Sequence, residues 1–289
     1  MTDNLKKLDQ LRKEIDRIDD TIHDLIMERT EIVKGVRAAK QDGAVMIRPS
    51  REAEIFYRLM ARHKGPFPKR ELCRIWRELI VATLSFEGPF SVSVYMPEGV
   101  NGYWDLARDQ YGTFSKLNRH GNLGSVVEAV KDGTSTLGIL PLPSRDDSDN
   151  WWRFLLSDLP GTPKIIARQP FIPGSNARDD GLEALVVSPV EQQQTGRDRS
   201  FLAFESEYDV GFTALDQVLS SHGFSSVFNE LWHDPNRPAA WTYLIEVMGF
   251  VDYQGAQLSA LTRSLEGKVL RVIHLGGYAT PLSESELSS

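Results

Sequence analysis

"LIMERTEIV", residues Leu25–Val33, breaks a regular pattern. Apolar residues recur at alternating gaps of three and four through Leu8, Leu11, Ile15, Ile18, Ile22 and Leu25. The pattern resumes at Ile32 and Val36, and the position between is Arg29. That spacing draws one apolar stripe along an α-helix. Residues 5–41 contain no proline, and no glycine before Gly35, so the pattern predicts a single helix of roughly 55 Å. So long a helix outruns one small domain, and a partner helix from a second copy is expected to cover its stripe. A charge in such a stripe is tolerated only when something anionic meets it.

Taken alone, Arg29 reads as an interhelical ion pair or a snorkelling side chain, with Glu28 and Glu31 close by. It does not stand alone. Lys40 lies four residues past Val36 on the seam side, and Arg12 borders the seam at Leu11. Beyond a break at "QDGAVMIRPS", a second helix is predicted over 50–63, with Ser50 as N-cap and Arg51 and Glu52 in its first turn. After "KGPFP", a third is predicted over 69–86, with Leu72, Ile75, Trp76, Leu79 and Ile80 on one face. Thr83 and Glu87 continue that face. Several cations, an acid and a hydroxyl can thus converge inside a helix bundle, which suits a compact dianion bearing a hydroxyl group.

The texture changes after Gly88-Pro89. "FSVSVYM" alternates like a strand, "VVEAVKDG" reads as helix and "STLGILPLP" as a short buried strand. "PGTPKIIARQPFIPGSNARDDG" is rich in turn residues and holds one or two strands at most. Farther on, "RSFLAFES", "VGFTALDQVLSSHG", "FSSVFNELWHD", "WTYLIEVMGF", "QGAQLSALTRSLEG" and "VLRVIHLGGY" give a β-α-β-β-α-β order, the ferredoxin-like pattern. "PLSESELSS" is expected to fray. The fold class expected is a multidomain α plus α/β chain, with a helical unit at 1–88, a small α/β unit at 90–190 and a βαββαβ unit at 197–281.

The 289 residues are 41% hydrophobic, enough for real cores, and the formal net charge is −7. Residues 1–88 hold 18 basic and 15 acidic residues (+3), the remainder 15 and 25 (−10). The interleaving of acids and bases argues against nucleic acid and for an acidic small molecule. No apolar run reaches membrane length and the first ten residues are polar, so neither a span nor a signal peptide is expected. The single cysteine, Cys73, excludes an intrachain disulfide and suits a reducing cytoplasm; it reads as a small buried hydrophobe. His23, His63, His120, His222, His233 and His274 are scattered without metal-ligand spacing, so no metal is expected. Trp151-Trp152 are expected in the chain's own core.

Residues 5–88 resemble the all-helical class of chorismate mutase. The match runs through "LDQLRKEIDRIDDTIHDLIMERTEIVKGVRAAK", "RPSREAEI" and "RIWRELIVATLSFE". The resemblance implies an intertwined helical homodimer that converts chorismate to prephenate without a cofactor. It assigns Arg29 and Arg51 to the substrate carboxylates, with Arg12 supplied by the partner subunit. It gives Lys40 the ether oxygen and a carboxylate, Glu52 the ring hydroxyl, Thr83 the family's Ser/Thr position and Glu87 the place opposite the ether oxygen. The family's acidic residue shortly before the Arg-Glu pair is here Arg48.

The rest is similar to prephenate dehydratase followed by an ACT regulatory domain, the layout of fused chorismate mutase–prephenate dehydratases. "MPEGV" stands for that family's Gly-Pro-Glu-Gly-Thr-Phe, with Val100-Asn101 in place of Thr-Phe. "GILPLPSRD" stands for Pro-Ile-Glu-Asn-Ser, with Pro143-Ser144-Arg145 replacing the last three. Glu183-Ala184-Leu185 occupy the place of the catalytic Thr-Arg-Phe. The resemblance therefore implies a dehydratase part without its catalytic set. The ACT-like part keeps Gly211 and Glu230 of the family's phenylalanine motifs, leaving an amino-acid effector or a dimerisation role open. The alternatives are a bifunctional mutase–dehydratase, a non-catalytic amino-acid sensor, and isochorismate-pyruvate lyase chemistry on the same helical fold.

Overall fold

The computed structural model describes residues 2–38, 47–84, 89–145, 149–174 and 181–288. The three-and-four spacing folds as one helix, α1 (Thr2–Ala38). Its stripe, Leu5, Leu8, Leu11, Ile15, Ile18, Ile22, Leu25, Ile32 and Val36, stays 43–62% exposed. Helix α2 (Pro49–Arg62) starts one residue earlier than expected. Pro49 takes its first turn and Arg48 the N-cap position, while Ser50 lies inside the helix and its hydroxyl accepts from Gln193 N (3.3 Å). Glu52 in the first turn and Arg62 in the last suit the helix dipole. Helix α3 spans Lys69–Leu84.

The sequence missed several elements of the α/β part. Strand β1 (Ser91–Tyr95) is followed by an unforeseen helix α4 (Gly102–Tyr111) and strand β2 (Lys116–His120). Helix α5 (Leu123–Lys131) starts where Asn122 Oδ1 accepts from Ser125 N (2.8 Å), and β3 (Leu137–Pro141) follows. A 3-10 turn (Trp151–Leu155) buries both tryptophans; β4 (Lys164–Gln169) and β5 (Ala184–Ser188) then pair antiparallel. The six-element tail matches its pattern: β6 (Asp198–Ser206), α6 (Phe212–Ser221), β7 (Ser226–His233), β8 (Trp241–Met248), α7 (Ala256–Ser264) and β9 (Arg271–Ala279).

Rather than two separate sheets, these strands form one, in the order β2-β1-β3-β5-β4-β9-β6-β8-β7. Helices α4 and α5 cover opposite faces of β1–β3: Leu106, Ala107 and Tyr111 pack with Val92 and Val94, whereas Val126, Val127 and Val130 pack with Leu140 and Trp152. The two halves meet where β4 runs parallel to β9 at Ile165–Gly276. A Cβ on Gly276 would strike the backbone of Ile165, and one on Gly277 would strike Arg199 O. Gly276 also sits at φ 98°. "LGGY" is thus the sequence that lets β9 accept neighbours on both sides.

The tail beyond β9 does not fray. Ser283 and Glu286 form a capping box on α8 (Glu284–Leu287), and Leu282 and Leu287 are buried. This segment clasps α2 and α3. Leu282 N donates to Phe171 O (3.0 Å), Tyr57 OH to Thr280 O, and Lys69 Nζ to Glu286 O (3.0 Å) and Ser288 O (3.1 Å). Arg70 pairs with Glu284, and Arg197 grips Glu286 through two bonds (2.6 and 3.1 Å).

Gly276→Ala should cost about 2–3 kcal/mol by combining strain with a clash at the junction, measurable by urea unfolding. Glu286→Ala should cost about 1 kcal/mol through the cap and the ion pair. Arg197 foremost holds the Glu286 carboxyl down to about 2 from an ordinary 4.5. A depressed carboxyl stabilises the fold above its unfolded pKa, so this contribution should drain between pH 4.5 and about 2 in wild type and be absent in the variant.

Candidate active site

On α1, the partly covered stripe is Ile26, Arg29, Thr30 and Val33, one face turned from the bare seam. Arg29 is half-buried, burial lowers its pKa, and Nη1 donates to Leu79 O on α3 (3.5 Å). Arg12 is exposed, with Asp9 at 3.6 Å. Arg51 is exposed and bonded to Glu54 (2.8 Å). Thr83 is buried, its hydroxyl donating to Ile80 O (2.8 Å) in its own helix. Lys40 and Glu87 lie outside the described residues.

Glu52 turns into the interior. Its Oε2 accepts from Arg77 Nη1 at 2.5 Å, with the two side chains 13% and 6% exposed. Arg77 also lies over the Phe56 ring, 4.7 Å from its centroid. With the Gln110 amide turned so that its oxygen faces Arg77, that oxygen accepts from Nη1 (2.8 Å) and its nitrogen donates to Gln169 Oε1 (2.8 Å). A continuous polar connection therefore runs from α2 through α3 to α4 and β4. Around it, Ala53, Phe56, Cys73 and Ile80 pack against Phe171, Ala279, Leu282 and Leu287. Buried Arg77 makes the charge pair affordable only because every partner is in place.

Residues 11–88 match the family model of chorismate mutase type II. The chain is also similar to two enzymes named bifunctional chorismate mutase/prephenate dehydratase. The one from Aquifex aeolicus is 31% identical over 143 residues, covering 48% of this chain and 39% of that protein. The one from Stutzerimonas stutzeri is 37% identical over 142 residues, covering 47% and 39%. The match thus spans well under half the length of either relative. The solved prephenate dehydratase from Streptococcus mutans aligns with 66% of this chain and 98% of its own at 13% identity, with a TM-score of 0.49.

Within the mutase-like helices, one chain does not gather the expected set. Arg29 meets α3 at Leu79, Arg51 faces solvent, and Glu52 meets Arg77 instead of another member of the set. The buried face of α3 is Cys73, Arg77, Ile80, Thr83 and Leu84, turned from the expected face of Leu72, Ile75, Trp76, Leu79 and Ile80. Arg77 was missed, although it carries the same signal as Arg29: an arginine in the apolar stripe Cys73, Ile80, Leu84.

The positions singled out in the α/β part hold structural contacts. Arg145 donates to Asn229 O (3.2 Å) and Oδ1 (3.1 Å) on edge strand β7. Glu183 accepts a two-pronged grip from Arg168 (3.0 and 2.6 Å), whose Nη1 reaches Tyr278 OH (3.0 Å). At the start of α6, Tyr243 OH accepts from Val210 N (2.9 Å) and Gly211 N (3.2 Å), and donates to Asp209 (2.5 Å).

Removing one member of the buried pair leaves a charge unpaired, so Arg77→Ala should lose about 3–5 kcal/mol in chemical denaturation. Arg77→Met combined with Glu52→Leu should recover much of that loss; a double variant as unstable as the single one would contradict the pairing.

Proposed function

We propose that the helical segment, residues 1–88, is a chorismate mutase working as a homodimer, and that the remaining α/β part is a dehydratase-derived body without dehydratase activity. The observation that carries this reading is the match of residues 11–88 to chorismate mutase type II; on it rest the roles the resemblance assigns to Arg12, Arg29, Lys40, Arg51, Glu52, Thr83 and Glu87. The rearrangement is unimolecular and needs no nucleophile, metal or cofactor. It needs the flexible dianion folded and its two carboxylates pinned, which arginine forks do well. Charge grows on the ether oxygen as the C–O bond breaks; Lys40 and a protonated Glu87 stabilise it more in the transition state than before it.

The homodimer supplies what one chain lacks. The midpoint of α1 is Asp20. A second α1 crossing antiparallel there brings its Arg12 beside Arg29 of the first, covering the bare stripe as it does so. Arg77 holds Oε2 of Glu52, the residue that the resemblance assigns to the ring hydroxyl. In the body, residues 90–190 are the dehydratase-like unit and 197–281 the ACT-like unit. Glu183 and Arg145 are engaged in structural bonds where the family's catalytic groups would be. Tyr243 OH accepts from the backbone of Val210 and Gly211 at the α6 turn, which supports a role for the ACT-like unit within the sheet, with an amino-acid effector as the alternative.

The test is to follow chorismate loss and phenylpyruvate in one reaction. Prephenate should accumulate, and Arg29→Ala should reduce kcat/KM by a hundredfold or more, about 3 kcal/mol. No chorismate loss, or loss unaffected by Arg29→Ala, would remove the reading, and phenylpyruvate above background would restore the bifunctional one. Activity should fall as rising pH ionises Glu87, and Glu87→Gln should flatten that fall.

A further inference from the structure

The Glu52 carboxylate is placed as a core group. Glu52 and Phe56 stand four residues apart on α2 and so share a face, the one that packs on Phe171, Ala279 and Leu282 of the body. The cavity beside the Glu52–Arg77 pair, bordered by Ile166, Gln169 and Phe171, has a volume of about 20 Å³. That is room for one water and not for a substrate ring. In this arrangement Glu52 does not reach the ring hydroxyl that the resemblance assigns to it. Arg77 is fixed in turn from the body. In its turned orientation, the Gln110 amide oxygen accepts from Nη1 (2.8 Å), Nη2 (3.0 Å) and Nε (3.2 Å) of Arg77. The Gln110 nitrogen donates to Gln169 Oε1, which also accepts from Phe171 N (2.9 Å). Two acceptors thus share one buried guanidinium: a carboxylate from the helical segment and an amide oxygen from the α/β body.

We propose that Arg77 is a positioning residue that withholds Glu52 from the substrate, and that Gln110 of the body sets how readily the carboxylate is released. The proposal rests on the mutase reading of the helical segment and adds an internal control to that same site. If Glu52 left Arg77 with no other partner, a buried guanidinium would be stranded, and such a charge is not tolerated. Gln110 removes that obstacle, because its oxygen keeps three guanidinium nitrogens engaged when the carboxylate departs. The ring hydroxyl completes the exchange by giving Glu52 a new donor. Control therefore runs from β4 through Gln169 and Gln110 to Arg77, and from Arg77 to the carboxylate. Every member of that chain is largely buried, so the exchange is protected from competition by bulk water.

The test uses the full-length chain and two substitutions on α4 that push the exchange in opposite directions. Gln110→Glu keeps the side-chain shape and gives Arg77 a competing carboxylate, so Glu52 is released and kcat/KM for chorismate should rise about threefold or more. Gln110→Met removes the second acceptor, ties Arg77 to Glu52 and should lower kcat/KM about threefold or more. A residue that only supported the fold would lower activity in both. Neither substitution should change turnover of a chorismate analogue lacking the ring hydroxyl, where Glu52 has nothing to receive. Two variants that shift chorismate turnover in the same direction, or not at all, overturn the control, as does an analogue that responds like chorismate; the mutase reading then stands. Should the added carboxylate unfold the chain, Gln110→Met decides alone: loss on chorismate but not on the analogue upholds the control, and equal loss on both overturns it. Wild type and Gln110→Glu that both leave chorismate unchanged overturn the mutase reading and the control with it.

Discussion

The apolar faces of α2 and α3 are buried on the sheet and its C-terminal tail, not on α1, and the remaining architecture follows from that. Phe56 and Tyr57 stack near Phe171 at 5.6 and 5.8 Å between centroids, and Leu282 and Leu287 close the same cluster. Burying side chains of this size is worth about 2–3 kcal/mol each. A single long helix offering only a narrow stripe does not compete with that. Helix α1 is therefore left with its seam bare, and the chain carries an unfinished surface that a second copy completes in the proposed reading.

Charge pairs mark the joints between segments remote in sequence. Glu52–Arg77 joins α2 to α3, Arg168–Glu183 braces β4 against the start of β5, and Glu205, 4% exposed, receives Arg237 (3.0 Å) and Arg271. Desolvation offsets most of the attraction in such pairs, so their contribution lies in specifying which surfaces meet more than in net stability. Each would be penalised if the segments docked in another register, because a charge would stay buried without its partner.

Positions in the α/β part that the sequence reading singled out as candidate sites illustrate the same economy. Arg145 bonds Asn229 on edge strand β7, Glu183 sits in an ionic joint, and the backbone donors of Val210 and Gly211 are taken by Tyr243. Side chains committed in this way must give up these bonds before they can reorganise around a ligand. The reading of this region as a structural body rather than a second active site draws its support from these bonds.

The sequence by itself determined what local periodicity controls. The spacing of Leu8 to Val36 specified α1, the β-α-β-β-α-β tail was legible element by element, and Arg29 stood out because a charge interrupts an apolar stripe. Helix α4 escaped because "GYWDLARDQY" has a weak stripe, and the tail was misread because the capping box of Ser283 and Glu286 sits among polar residues that suggest fraying. Only the tertiary structure decided which face of α3 is inside, that Glu52 belongs to Arg77, and that two units share one sheet through Gly276. Those outcomes depend on which distant surfaces bury the most apolar area while pairing every charge, and that competition leaves no local pattern in the chain.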